Sequence, residues 1–210
     1  MRSMVPVLAF CAAFVAVGSA TAAPSIGGDP IHTQDDVFTG GGLWSVNVSS
    51  YVFDETSDLP TGFVLGAGEM LFAYLLDGDD AFAVSVNTFT VGNPNQSVIS
   101  SVGFSTDITP AGFDAGDRED PFLFGYSGPA QASVFTYAGD LADPFSTLEP
   151  TEWSLVWYIA ESSDWALGPG SASGGGLPDT HLLPVPIPAP GALTLLGVAG
   201  LLGFGWRRRR

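Results

Sequence analysis

EMLFAYLLDGDDAFAVSVNTFTV, residues 69–91, is the stretch that decides the fold class. From Glu69 to Leu76 apolar side chains fall on both faces of an extended chain, with Met70, Phe72, Tyr74 and Leu76 sharing one side. Successive strand residues point to opposite faces, so such a segment belongs at the centre of a sheet covered on both sides. Asp77-Gly78-Asp79-Asp80 reads as a turn, because Gly and Asp tolerate the dihedrals a hairpin demands. Ala81 to Val91 then reads as the returning strand, with Phe82, Val84 and Val86 inward and Ser85 and Asn87 outward. The stretch predicts an antiparallel hairpin.

The same alternation recurs on either side. Trp44, Val46 and Val48 alternate with Ser45, Asn47 and Ser49, and Tyr51 and Phe53 then shift the phase as a bulge would. Val98–Phe104, Pro121–Tyr126 and Ala132–Ala138 are shorter strand candidates, and in Glu152–Ala160 the residues Trp153, Leu155, Trp157 and Ile159 share a face. No helical period stands out between Pro24 and Leu183. Seven or eight short strands between Gly, Pro, Asp and Ser clusters predict an all-β domain, an antiparallel β-sandwich, with a jelly roll or closed barrel as alternative. The chain divides into residues 1–23, a signal peptide; 24–167, an acidic β-sandwich; 168–183, a Gly/Ser/Pro-rich linker around Gly174-Gly175-Gly176; and 184–210, a sorting tail.

The ends argue for export. Met1-Arg2, an apolar run from Val5 to Val17, and small residues from Gly18 to Ala23 follow the order of a secretory signal, with Ala20 and Ala22 marking the signal-peptidase site. At the other end, the prolines of Pro184-Val185-Pro186-Ile187-Pro188-Ala189-Pro190 forbid a helix. Residues 191–206 carry no charge, and Arg207, Arg208, Arg209 and Arg210 follow. Sixteen helical residues reach roughly 24 Å, somewhat short of the ~30 Å hydrocarbon core. Trp206 stands where an interfacial aromatic belongs, and the arginines are expected to stay cytoplasmic.

This three-part tail resembles the PEP-CTERM sorting domain. Val185-Pro186, Pro188, Pro190, the helix 191–206 and Arg207–Arg210 carry the resemblance, while Ile187 or Ala189 stands where the family has glutamate. The resemblance implies an exosortase-type processing enzyme as partner and an association with exopolysaccharide and biofilm. It also implies an inner-membrane-anchored precursor that ends at the cell surface or outside. Leu177-Pro178-Asp179-Thr180 gives a competing match to the start of a sortase signal, with His181 in place of glycine.

Composition limits the chemistry. All 22 acidic residues lie between the two ends, against Arg118 alone, a formal charge of −21 for that segment; the chain has no lysine. That excludes nucleic-acid binding, which needs basic side chains at phosphates. The single cysteine, Cys11, falls in the signal peptide, so no disulfide or thiol is expected after cleavage. His32 and His181 are the only histidines and read as loop residues; no catalytic motif is present, and a non-enzyme is expected. No resident cofactor is expected either. Calcium is the cation best suited to two acidic loops, one with Asp77, Asp79 and Asp80 and the other with Asp114, Asp117, Glu119 and Asp120. The reading is a noncatalytic surface or matrix protein, with a carbohydrate-binding or glycan-acting domain as alternative. Trp165 is the tryptophan expected to be exposed for sugar stacking, while Trp153 and Trp157 are expected in the core.

Overall fold

The computed structural model describes residues 24–78, 85–92, 99–127, 131–137 and 147–187. Ala20, Ala22, Asp79, Asp80, Pro188, Pro190, the helix expected at 191–206 and Arg207–Arg210 lie outside them. Ten strands run in order as β1 (His32–Gly40), β2 (Trp44–Phe53), β3 (Glu69–Gly78), β4 (Thr88–Gly92), β5 (Ile99–Phe104), β6 (Leu123–Ser127), β7 (Ala132–Thr136), β8 (Trp153–Glu161), β9 (Trp165–Gly174) and β10 (Leu177–Pro186). They form two five-stranded antiparallel sheets, β1-β2-β3-β8-β5 and β10-β9-β4-β7-β6. Among the described residues the only helix is one 3₁₀ turn, Ala115–Asp117, and none is long and apolar enough to cross a membrane.

Strands β3 to β8 cross back and forth between the sheets with nested pairs, β3 with β8 enclosing β4 with β7. This is a jelly-roll-like winding, to which the β1–β2 and β9–β10 hairpins add the outer strands. The hairpin expected over 69–91 does not form. β3 is flanked by β2 and β8, and β4 lies in the opposite sheet between β9 and β7. The burial pattern gives the reason. β3 is buried along seven consecutive residues and needs neighbours that are apolar on both faces, whereas Thr88-Phe89-Thr90-Val91 alternates as a strand with one wet face does.

The first sheet is covered on both sides. Its inner face gives Val48, Phe72, Tyr74, Val156 and Tyr158 to a core shared with Phe89, Phe135, Ala172, Leu183 and Val185 of the second sheet. Phe72 stacks on Tyr158 with ring centroids 5.0 Å apart. Its outer face gives Tyr51, Phe53, Leu71, Leu75, Trp153 and Leu155 to a second cluster, roofed by Ile26, Leu59, Phe63, Ile108 and Phe113 from the loops. The Tyr51 hydroxyl donates to the Pro24 carbonyl and ties the N-terminal segment into this roof. Burial pushes the Tyr51 phenol up to about 12; the Asp35 charge adds to this and a hydrogen bond with Ser49 opposes it. The phase shift at Tyr51 and Phe53 is therefore no bulge. β2 keeps unbroken register with both neighbours, and the shift marks residues that point into the second core. The register irregularity is in β5, between Ile99 and Ser101. Trp153 and Trp157 face this outer cluster, away from the space between the sheets.

Residues 168–183, expected as a linker, lie within β9 and β10, and both histidines expected in loops lie in strands, His32 in β1 and His181 in β10. Gly175 and Gly176 have φ of +56° and +81°, the left-handed values of a two-residue hairpin turn. Leu177 pairs with Gly174 directly across it. Glycine inside β9 has a packing reason. A Cβ on Gly170 would collide with the Leu183 side chain, and one on Gly168 with Val185. Pro178, Pro184 and Pro186 are tolerated because β10 is an edge strand.

Candidate functional site

Two residues of the expected sorting signal, Val185 and Pro186, belong to β10, and the fold holds the chain one residue further. Val185 is buried in the inner core, and Pro186 is in register with Trp165. The Ile187 amide donates to the Asp164 carbonyl at 3.1 Å. Ser162 Oγ lies 2.6 Å from both the Asp164 and Ile187 carbonyl oxygens, and its single proton serves one at a time. Beneath the strand, the Tyr74 hydroxyl donates to the Pro184 carbonyl at 2.5 Å and lies 3.1 Å from the Tyr158 hydroxyl. Burial holds the Tyr74 phenol well above its usual value, although the hydrogen bond with Tyr158 lowers it somewhat. Ser162, Asp164 and Tyr74 gave no sign of this role in the sequence, because all three lie far from the tail along the chain.

β10 is also fastened sideways to β1 and to the first residue of β2, where the edges of the two sheets meet. The Thr39 amide donates to Asp179 Oδ2 at 2.8 Å, Gln34 Nε2 to the Leu182 carbonyl at 2.7 Å, and Trp44 Nε1 to the Leu177 carbonyl at 3.1 Å. His181 sits between Asp179, at 3.1 Å, and Asp36, at 3.6 Å, with its ring against Phe38. Those partners include no hydroxyl or thiol of a nucleophilic pair; they are groups that hold an imidazole in place. Burial works against ionisation of Asp179, but hydrogen bonds from the Thr39 and Thr180 amides and the His181 ring outweigh it and hold the carboxyl below its usual range. The Leu177-Pro178-Asp179-Thr180 stretch thus sits in a paired strand, with its carboxylate and backbone already engaged.

The acidic loop at 114–120 serves the outer core. Asp114 Oδ1 accepts from the Gly116 amide at 2.9 Å and caps the 3₁₀ turn that contains Asp117, while its carbonyl accepts from Trp153 Nε1 at 2.7 Å. Arg118 pairs with Asp120 at 2.9 Å and donates to the Thr106 carbonyl at 2.8 Å, and the Glu119 amide donates to the Trp153 carbonyl. Asp77 lies in β3 opposite Trp153 and Asn47. Among the described residues no three His, Cys, Asp or Glu side chains gather into a set able to hold a metal ion.

Trp165, expected to be free for stacking, is partly buried and stacked on His32, with centroids 3.9 Å apart and planes at 26°. An aromatic surface that the sequence did not single out lies near the β5 edge. There Phe63, Val64, Phe104 and Trp157, with Thr61 and Asp107, line an open groove of about 350 Å³. Phe63 meets Trp157 edge to face at 5.1 Å, and Phe104 meets exposed Phe124 of β6 in the same manner at 5.3 Å.

No curated protein and no solved structure matches the chain. Its similarity to known proteins is at the C-terminal end, where the match begins on the last residue of β10: residues 186–210 match the PEP-CTERM protein-sorting motif, the signal of exported proteins sorted by an exosortase.

Proposed function

We propose that this chain is a noncatalytic cell-surface or extracellular-matrix protein, delivered as a folded acidic sandwich and released from its membrane-bound precursor by an exosortase. The observation that carries the reading is the PEP-CTERM match at 186–210, set directly behind a sandwich whose last strand ends at Pro186. The dense negative charge suits a matrix role, since it favours solubility and leaves carboxylates at the surface among extracellular polymers. The test is fractionation of cells with and without the exosortase. The shortened form is expected at the surface or in the medium only when the enzyme is present, with the precursor accumulating in the inner membrane without it. The same mass and location in both hosts would overturn the reading.

The groove near the β5 edge favours a second reading, a carbohydrate-binding module. Phe63, Phe104 and Trp157 supply apolar ring surface, and Thr61, Ser105, Thr106 and Asp107 supply polar groups around it, the combination sugars require. The charge of the domain favours neutral or amino-sugar polymers over uronic acids. Retention on an array of such polymers, weakened by Phe104→Ala, is the expected result. No retention on any polymer removes this reading.

A further inference from the structure

We propose that β6 is the contact strand of a two-fold dimer: its outer edge takes β6 of a second copy, antiparallel, with Gly125 on the axis. The two sides of the sandwich where the sheets end are built differently. On one side β1 carries Asp35 and Asp36, and β10 carries Asp179 with Pro178, Pro184 and Pro186. Side-chain hydrogen bonds also fasten these two strands to each other. Charges, prolines and covering contacts are the means by which proteins keep other strands from adding to an edge. On the other side, β5 (ISSVGF) and β6 (LFGYS) contain neither a charge nor a proline. β5 is still blunted, by its register irregularity and by the charge of Glu69, which accepts from Ser100 at 2.6 Å. β6 has no such guard. Among the described residues it is paired with β7 alone, and Phe122, Leu123 and Phe124 at its start are 45, 60 and 46% exposed.

Charge and symmetry name the occupant. With 22 acids against one arginine, two copies of the domain repel each other over most of their surface. Along β6 they meet without a carboxylate facing another, and Asp120, the nearest acid before the strand, is paired with Arg118 at 2.9 Å. A half turn about Gly125 makes the strand its own partner, as an isologous contact requires. Leu123 then stands opposite Ser127, Gly125 opposite Gly125, and Phe124 opposite Tyr126 on both sides of the axis. Phe124 and Tyr126 share the face whose neighbours in β7, Phe135 and Ser133, are buried. Each copy therefore contributes to an aromatic cross-strand pair, set beside Phe104, which Phe124 already meets at 5.3 Å. Growth stops at two copies, because the far strand of the joined sheet is the guarded β10 at both ends.

Gly125 supplies the test. A Cβ built there meets nothing within 4 Å, so a side chain at this position leaves the single copy intact, while in the dimer two such side chains face each other. The full chain, in density-matched mild detergent, is followed by sedimentation equilibrium from about 1 µM to 1 mM. The wild type is expected to approach twice the monomer mass. Its dissociation constant is expected to fall several-fold between about 0.05 and 0.5 M salt, since screening removes the repulsion between acidic copies. Gly125→Glu and Gly125→Lys, each with the wild-type melting temperature, are each expected to raise that constant at least about tenfold, as like charges brought together do. Mixed in equal amounts, the two variants are expected to dimerise again. A wild type that stays monomeric leaves the edge to some other strand and overturns the proposal. Dimers that persist in both variants assign the contact to another part of the chain, with the same consequence. A mixture that associates no better than its components, or wild-type species that grow beyond two copies, also overturns it.

Discussion

The two sheets of this sandwich bury different amounts of themselves. Strands β2, β3 and β8 of the first sheet are buried over most of their length, because one face meets the other sheet and the opposite face meets the loop roof. Strands β4 and β7 of the second sheet bury mainly the residues that face inward. A sheet with two cores and a sheet with one read differently as sequence and should fail differently when cut.

The largest expected effects test whether the outer face of the first sheet is a true core. Phe72→Ala, between the sheets, and Trp153→Ala, beneath the loop roof, should each cost about 3–5 kcal/mol in chemical denaturation, as large-to-small changes at fully buried aromatics do. Thr90→Ala, on the one-cored sheet, removes a half-buried hydroxyl that donates to the Ser171 carbonyl and should cost about 1 kcal/mol. A Trp153→Ala cost in the Thr90 range would mean that the loops do not seal the outer face, and the contrast between the sheets would collapse.

This contrast also explains what the sequence disclosed. In EMLFAYLL the two apolar faces are plain, and β3 is indeed an interior strand of a doubly covered sheet. Which strand sits beside it was not legible. The short acidic segment after Leu76 has the composition of a hairpin turn, yet pairing followed burial: β3 sought β2 and β8, and β4 went to the other sheet. β9 and β10 were hidden for a different reason. WALGPGSASG is rich in Gly and Ser and LPDTHLLPVP in Pro, the residues that mark linkers. The glycines of β9 leave room for Leu183 and Val185 of β10, and that fit exists only between strands. The sorting motif was legible because it is contiguous. Its holdfast was not, because Ser162, Asp164 and Tyr74 reach it only through the fold.

The β9–β10 hairpin gives the next test. Gly170→Ala places a methyl group where the Leu183 side chain lies, and overpacking of this kind costs about 1–3 kcal/mol. Combining it with Leu183→Ala should give less than the sum of the two single losses, since the smaller side chain makes room for the methyl. Strict additivity in a double-mutant cycle would show that the two residues do not touch. If the hairpin were the flexible linker its composition suggests, neither change would move the denaturation midpoint.

Tyr74→Phe probes the connection between the two-cored sheet and the strand that bears the sorting motif. The substitution keeps the ring and leaves the Pro184 carbonyl and the Tyr158 hydroxyl without their shared partner. The expected loss is about 1–2 kcal/mol, within the range for a stranded buried polar group. Hydrogen exchange should also quicken at the β10 amides more than at those of β4. Equal quickening in both strands would place the effect in the common core and take it away from the β10 connection.

The smallest expected effect is electrostatic and is confined to the β1–β10 edge. The pKa of Asp179 is lower in the fold than in the unfolded chain, because the Thr39 and Thr180 amides and the His181 ring favour the carboxylate more than burial disfavours it. The unfolded state then binds the proton more readily. The stabilising contribution is therefore fully present above the ordinary carboxylate pKa, about 3.9, and fades as pH falls through the lower folded value. Acid has an opposite effect on the whole domain, since protonating part of an excess of 22 acids over one arginine relieves repulsion. Comparing wild type with Asp179→Asn separates the two, because the global relief is nearly common to both. The variant should be less stable at pH 7 by at most about 1 kcal/mol, as expected for partly exposed charges. That gap in melting temperature should hold down to about pH 4 and close below it. A gap that stays constant to pH 2 would assign the loss to the geometry of the Thr39 hydrogen bond and not to the charge of Asp179.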